Sequence, residues 1–163
     1  MTRSQYGLPE SGFVFCCFNN NYKIEPQIFD VWMRILTAVP GSVLWLTVKF
    51  SNAEDNFRRE AQARGINSDR LIFAQYSHIK AEHLARHQLA DLFLDTLYYN
   101  AHTTANDALW AGLPVLNCIG KTFASRVGAS LLKAVGLPDL IANFNFTPNS
   151  WLDKCSIIYV YVY

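Results

Sequence analysis

The chain has no C-x-x-C pair, no G-x-G-x-x-G loop and no Walker A sequence. Typical dinucleotide-binding dehydrogenases and P-loop enzymes are therefore excluded. Cysteine is scarce, with only Cys16, Cys17, Cys118 and Cys155. Cys16 and Cys17 are neighbours on an expected strand. They point to opposite faces and cannot share one metal. Buried free thiols in a reducing compartment are the expectation. An excess of either charge is missing too: the formal net charge is +1. This gives no electrostatic basis for binding nucleic acid or an acidic membrane surface. No apolar run approaches the ~20 residues of a membrane span. Residues 1–7 lack the apolar segment of a secretory leader. A cytoplasmic protein, or a fragment of one, is expected, with no membrane or nucleic-acid partner. No internal repeat of solenoid period is visible.

The 163 residues are 51% apolar and 17% charged. That is enough for one domain with a core, residues 1–143, followed by an atypical tail, residues 144–163. Apolar strand-like runs fall at residues 13–18, 43–48, 71–74, 91–95 and 115–118. Helices are expected between them. In residues 26–38, Ile28, Val31, Trp32, Ile35 and Leu36 recur at helical spacing. Pro26 suits the first turn of that helix, where its missing N–H is harmless. Ser51-Asn52-Ala53-Glu54 has capping-box spacing and opens a charged helix that runs to Gly65. Further helices are expected at 80–89, 104–111 and 125–135. Five strands alternating with helices make βαβ units, and hence an α/β fold with a parallel sheet covered on both faces. Ligands of such sheets bind beyond the carboxyl ends of the strands. The tail alternates apolar residues and tyrosines over 156–163 and reads as an edge strand with an aggregation hazard. Asn145-Phe146-Thr147 fits a glycosylation sequon by chance.

The densest chemistry lies at Asn100-Ala101-His102-Thr103-Thr104-Ala105-Asn106-Asp107, just after the apolar run Leu92-Phe93-Leu94-Asp95. Hydroxyls and an imidazole at a helix N-terminus suit phosphate oxygens, because free N–H groups and the helix dipole favour an anion there. Thr104-x-x-Asp107 also has the spacing of a capping box, so a purely structural cap is the competing account. A functional Asp107 should address ribose hydroxyls, since a carboxylate repels a diphosphate. After the first strand stand Asn19-Asn20-Asn21-Tyr22-Lys23. Lys23 is either a point charge for a diphosphate or a solvated surface lysine. Lys80 and His83, after the third strand, either hold a ribose and base or simply start an exposed helix. His83 and His87 have zinc-chelating spacing, but no third ligand completes a site, so no metal is expected.

Several ordered motifs carry a resemblance. They are Phe18-Asn19-Asn20-Asn21-Tyr22-Lys23-Ile24, Val39-Pro40-Gly41-Ser42-Val43-Leu44-Trp45-Leu46, Gln88-Leu89-Ala90-Asp91, His102-Thr103-Thr104…Asp107…Leu109-Trp110-Ala111-Gly112, and Ala124-Ser125-Arg126-Val127. Over residues 8–142 the chain resembles the C-terminal lobe of the O-GlcNAc transferase and SPINDLY-type protein glycosyltransferases. The resemblance implies a Rossmann-like lobe, the C-terminal half of a GT-B fold, in a family that usually carries tetratricopeptide repeats. It implies transfer from UDP-GlcNAc to Ser or Thr of proteins, with no further cofactor. A SPINDLY-like lobe would use GDP-fucose instead, and a non-catalytic nucleotide-binding fragment is the other alternative. Carried onto this chain, Lys23 and Asn20 would contact the diphosphate, Asn20 standing where a glutamine is common. Lys23 would take the catalytic part. Lys80 and His83 would hold ribose and uracil. His102, Thr103 and Thr104 would meet sugar and phosphate, and Asp107 the ribose. The protein acceptor would bind through N-terminal regions that this chain lacks.

Overall fold

The computed structural model describes residues 1–143, apart from Phe50 and the side chain of Ser51. The expectations for residues 144–163, including the edge strand, the sequon and Cys155, lie outside the described residues. So does the capping side chain of Ser51.

Six parallel strands form one sheet in the order β3-β2-β1-β4-β5-β6. They are β1 (Val14–Cys17), β2 (Val43–Val48), β3 (Leu71–Gln75), β4 (Leu92–Leu94), β5 (Val115–Ile119) and β6 (Ile141–Asn143). The intervening helices are α1 (Pro26–Ala38), α2 (Ser51–Ala63), α3 (Lys80–His87), α4 (Thr103–Trp110) and α5 (Val127–Ala134). The α/β class and the parallel sheet are as the sequence implies. The count of five strands is corrected to six. β6 is three residues long and pairs Asn117 with Ile141 and Ile119 with Asn143. Unlike the equally short β4, it is not buried throughout and ends on the exposed Asn143, so it lacks the unbroken apolar run that marks a central strand.

The strands explain their own composition. β1, β2 and β4 are buried at every position, as central strands covered on both faces must be. They therefore read as unbroken apolar runs. β3, on the edge, alternates less cleanly and ends exposed. In α1, Ile28, Trp32 and Ile35 are fully buried, and Pro26 sits in the first turn. α4 ends at Trp110, and Gly112 just beyond it has a φ of +83°, in the left-handed region that suits glycine after a helix. α5 starts at Val127 rather than Ser125. The Ser125 hydroxyl is committed to a turn with Thr122, accepting from its N–H at 3.1 Å. Side-chain turns of this kind compete with helix formation.

Chain order decides where a ligand can sit. β1 leads outward to β2 and β3 on one side, and β4 begins the run to β5 and β6 on the other. The crossovers leaving β1 and β4 thus diverge, and a crevice opens outside their carboxyl ends. The three free cysteines among the described residues, Cys16, Cys17 and Cys118, are buried, and burial pushes the Cys16 and Cys17 thiols up, away from reactivity. No helix among the described residues is long and apolar enough to cross a membrane.

Candidate functional site

The crevice at that switch point is a cavity of about 320 Å³. Four elements wall it: the segment after β1 (Phe18 to Lys23), the end of β2 (Thr47, Lys49), the turn after β3 with α3 (Tyr76 to His83), and the first turns of α4. Asn20, Lys23, Lys80, His83, Thr103, Thr104 and Asp107 all line it. They come from three separate parts of the chain. His102 is not among the lining residues. Its Nε2 lies 3.2 Å from the Ala124 carbonyl, and its ring packs near Tyr99 and Phe123. The imidazole thus faces the α5 side of the helix start.

Lys23 is not a solvated surface lysine. It is half-buried, donates to the Asn100 carbonyl at 3.0 Å and lies 3.8 Å from the centre of the Tyr99 ring. Burial lowers its pKa, while the nearby Asp95 carboxylate works the other way. The result is a partly desolvated ammonium tethered by one of its three donors.

The capping account of Thr104 and Asp107 is corrected. The residue capping α4 is His102, and no side chain caps the helix. Thr103 and Thr104 both stand inside the first turn, and Thr104 faces the cavity. Among the described residues the N–H groups of that turn have no side-chain partner, which leaves the helix end electropositive. Asp107, one turn further on, is engaged elsewhere. Its Oδ2 accepts from Lys80 Nζ at 2.5 Å and lies 3.4 Å from His83 Nε2. Asp107 is only 10% exposed while Lys80 is 59% exposed, so the pair reaches from wall to rim. Lys80 and His83 therefore join α3 to α4 across the cavity instead of merely starting an exposed helix.

His83 has a defined proton. Arg86 Nη2, which can only donate, lies 2.7 Å from His83 Nδ1. Nδ1 must accept, so the neutral ring carries hydrogen on Nε2, facing Asp107. Burial, helped by Arg86, lowers the His83 pKa, while the Asp107 carboxylate works the other way. Arg86 is itself buried, donates to the Gln75 carbonyl and lies 4.4 Å from the Phe18 ring centre. The His83–His87 pair makes no chelate. His87 Nδ1 is bonded to the His83 carbonyl and the two rings meet edge-on. Burial depresses the His87 pKa to about 4. Among the described residues, no cluster of three or more His, Cys, Asp or Glu side chains could hold a metal.

Sequence reasoning missed Asn19, Thr47, Lys49, Arg86 and Asp95. Asn19 was one of three amides in a row, and nothing local marks it as the buried one. Asp95 carried a usable signal: a carboxylate directly after three buried apolar residues must be satisfied by something. Thr47 and Lys49 belong to the site only because β2 lies beside β1.

Sheet order and cleft position define a Rossmann-like α/β lobe with its ligand crevice at the switch point. A sequence model of glycosyl transferase family 41 matches residues 1–148. The chain belongs to this family. It is 46% identical over 135 residues to the probable UDP-N-acetylglucosamine–peptide N-acetylglucosaminyltransferase SEC of Arabidopsis thaliana, a match covering 83% of this chain and 14% of that protein. It is 43% identical over 141 residues to the UDP-N-acetylglucosamine–peptide N-acetylglucosaminyltransferase of Caenorhabditis elegans, covering 86% and 12%. A solved structure of a mutant O-GlcNAc transferase from Thermobaculum terrenum superposes with TM-score 0.83 at 31% identity, over 90% of this chain and 28% of that one. This chain thus spans a small part of the relatives it matches.

Proposed function

We propose that this lobe holds the donor, UDP-GlcNAc, of a protein O-linked N-acetylglucosaminyltransferase acting on Ser or Thr side chains. The observation that carries this reading is the convergence of Asn20, Lys23, Lys80, His83, Thr103, Thr104 and Asp107 on one cavity at the switch point. In this reading the diphosphate lies over the first turn of α4. Its oxygens take the free N–H groups and the Thr103 and Thr104 hydroxyls, with Lys23 and Asn20 on the facing side. His102, beside the helix start, meets the sugar end. Asp107 offers its second oxygen to the ribose, and His83 and Lys80 close over ribose and uracil.

The diphosphate is the leaving group, and negative charge grows on it as the glycosidic bond breaks. Lys23 and the α4 amides stabilise that charge without reorganising, because the protein already holds them in place. No further cofactor is needed for this step. The acceptor protein and the facing catalytic groups come from a second lobe, so the described residues bind donor but do not transfer sugar alone. A cytoplasmic setting fits the buried free thiols.

Calorimetric titration of the chain with UDP, GDP and uridine tests the reading. UDP should bind more tightly than GDP, in keeping with the UDP-linked donor for which the relatives are named. Preference for GDP would favour the fucosyl-donor alternative, and absence of any nucleotide binding would defeat the proposal.

A further inference from the structure

The side chain beneath the α4 start is not itself in the cavity. Asp95 follows β4, is fully buried, and is ringed by donors. Its Oδ1 accepts from the Ala101 N–H at 2.7 Å, the Thr96 N–H at 2.7 Å and Asn19 Nδ2 at 3.2 Å. Its Oδ2 accepts from Asn117 Nδ2 at 2.8 Å. The carboxylate therefore closes the segment 96–101 into a ring, from its first residue to its last. Within that ring, the Thr96 hydroxyl donates to the Tyr99 carbonyl at 2.6 Å and Asn100 Nδ2 to the Thr96 carbonyl at 2.7 Å. The Asn100 carbonyl points outward and receives the Lys23 ammonium. His102 then caps α4, which begins at Thr103. Gly128 completes the arrangement: a Cβ there would lie 2.4 Å from Asn117 Nδ2 and 2.9 Å from Asp95 Oδ2.

We propose that Asp95 is a positioning residue: its carboxylate builds the segment 96–101 and thereby aims both the α4 N–H groups and the Lys23 ammonium at one point in the cavity. It touches no ligand. Four N–H groups surround it and favour its charge, but burial outweighs them and raises its pKa to about 6. The titratable groups facing it are Lys23 and Cys17. The geometry works through hydrogen bonds, and this makes a clean test. Asn at position 95 can keep all four bonds. Its oxygen takes the Ala101, Thr96 and Asn19 donors, and its amide faces Asn117, which turns over to present Oδ1, an atom with no partner among the described residues. Ala keeps none.

The inference rests on the diphosphate reading of the cavity, and the test separates the two. UDP and uridine affinities are measured by calorimetry on the full chain and on D95A, D95N and T96V, with amide hydrogen exchange followed at Ala101. In D95A, UDP should weaken at least tenfold with uridine within threefold of wild type. Ala101 exchange should rise at least 100-fold while β1 amides stay protected. D95N should return UDP affinity to within threefold of wild type. An unchanged UDP-to-uridine ratio in folded D95A, or D95N as weak as D95A, overturns the proposal. Should D95A not fold, T96V cuts the same ring at the Tyr99 carbonyl. A threefold or larger loss confined to UDP is expected there, and an unchanged ratio overturns it. Wild-type chain that binds no UDP defeats the nucleotide reading alone. Ala101 exchange and the Lys23 ammonium NMR shift in the variants then decide the positioning claim, and both must move for it to stand.

Discussion

Replacing Lys23 by Ala removes an ammonium that the fold has brought partly out of water at the cavity wall. One of its donors is fixed on the Asn100 carbonyl and its charge sits over Tyr99, leaving two donors for a diphosphate. A hydrogen bond to a charged partner contributes about 1.5–3 kcal/mol, which is a roughly 10- to 150-fold loss of UDP affinity. Uridine has no phosphate and should lose less than about twofold. Calorimetry with UDP and uridine, side by side, reads the difference directly. Alkaline pH gives a second reading. Burial lowers the Lys23 pKa, so its charge fades at a lower pH than that of an ordinary lysine. Wild-type affinity for UDP should therefore fall on the alkaline side, and the part of that fall due to Lys23 should vanish in Lys23→Ala. If uridine weakens as much as UDP, Lys23 does not face the phosphates and the orientation of the ligand is wrong.

Thr104→Val should leave the melting temperature nearly unchanged, because Thr104 caps nothing, but should shrink the UDP-induced rise; an undiminished rise would remove Thr104 from the anion site. Asp107→Asn should weaken uridine and UDP by a similar factor, about 1–2 kcal/mol for a lost charge-assisted bond, and leave pyrophosphate binding unaffected; selective loss of pyrophosphate would contradict the ribose assignment. Gly128→Ala should cost about 1–3 kcal/mol through overpacking against Asn117 and Asp95, and a melting temperature equal to wild type would refute the close approach. Asp95 titrates near 6 when folded and at 3.8 when unfolded. Its proton thus adds stability that is complete below 3.8 and gone once pH rises through 6. Relative to Asp95→Asn, wild type should gain about 2 kcal/mol between pH 7 and pH 4, measured by denaturant melts; a pH-independent difference would show that the carboxylate is not desolvated.

The sequence by itself determined the class of fold and most of its elements. α1 and β2 have the boundaries that apolar spacing and Pro26 imply, because a helix with a wide apolar stripe and a strand buried on both faces leave unmistakable patterns. It also nominated the residues of the cavity, through hydroxyls at a helix start and through ordered motifs. It could not show that Thr104 faces a cavity rather than capping a helix, since both need the same residues at the same spacing. It could not show β6, a three-residue edge strand with no apolar run of its own. Tertiary structure alone decided which side chains meet. The sheet order places β1 beside β4, and this brings Lys23 to the Asn100 carbonyl, 77 residues further along the chain. Packing α3 against α4 lets Lys80 and His83 share one oxygen of Asp107. Beyond the local Thr96 and Ala101 N–H groups, Asp95 takes donors from Asn19, after β1, and from Asn117, on β5. A buried charge must find its partners across the fold, and no local spacing records where they stand.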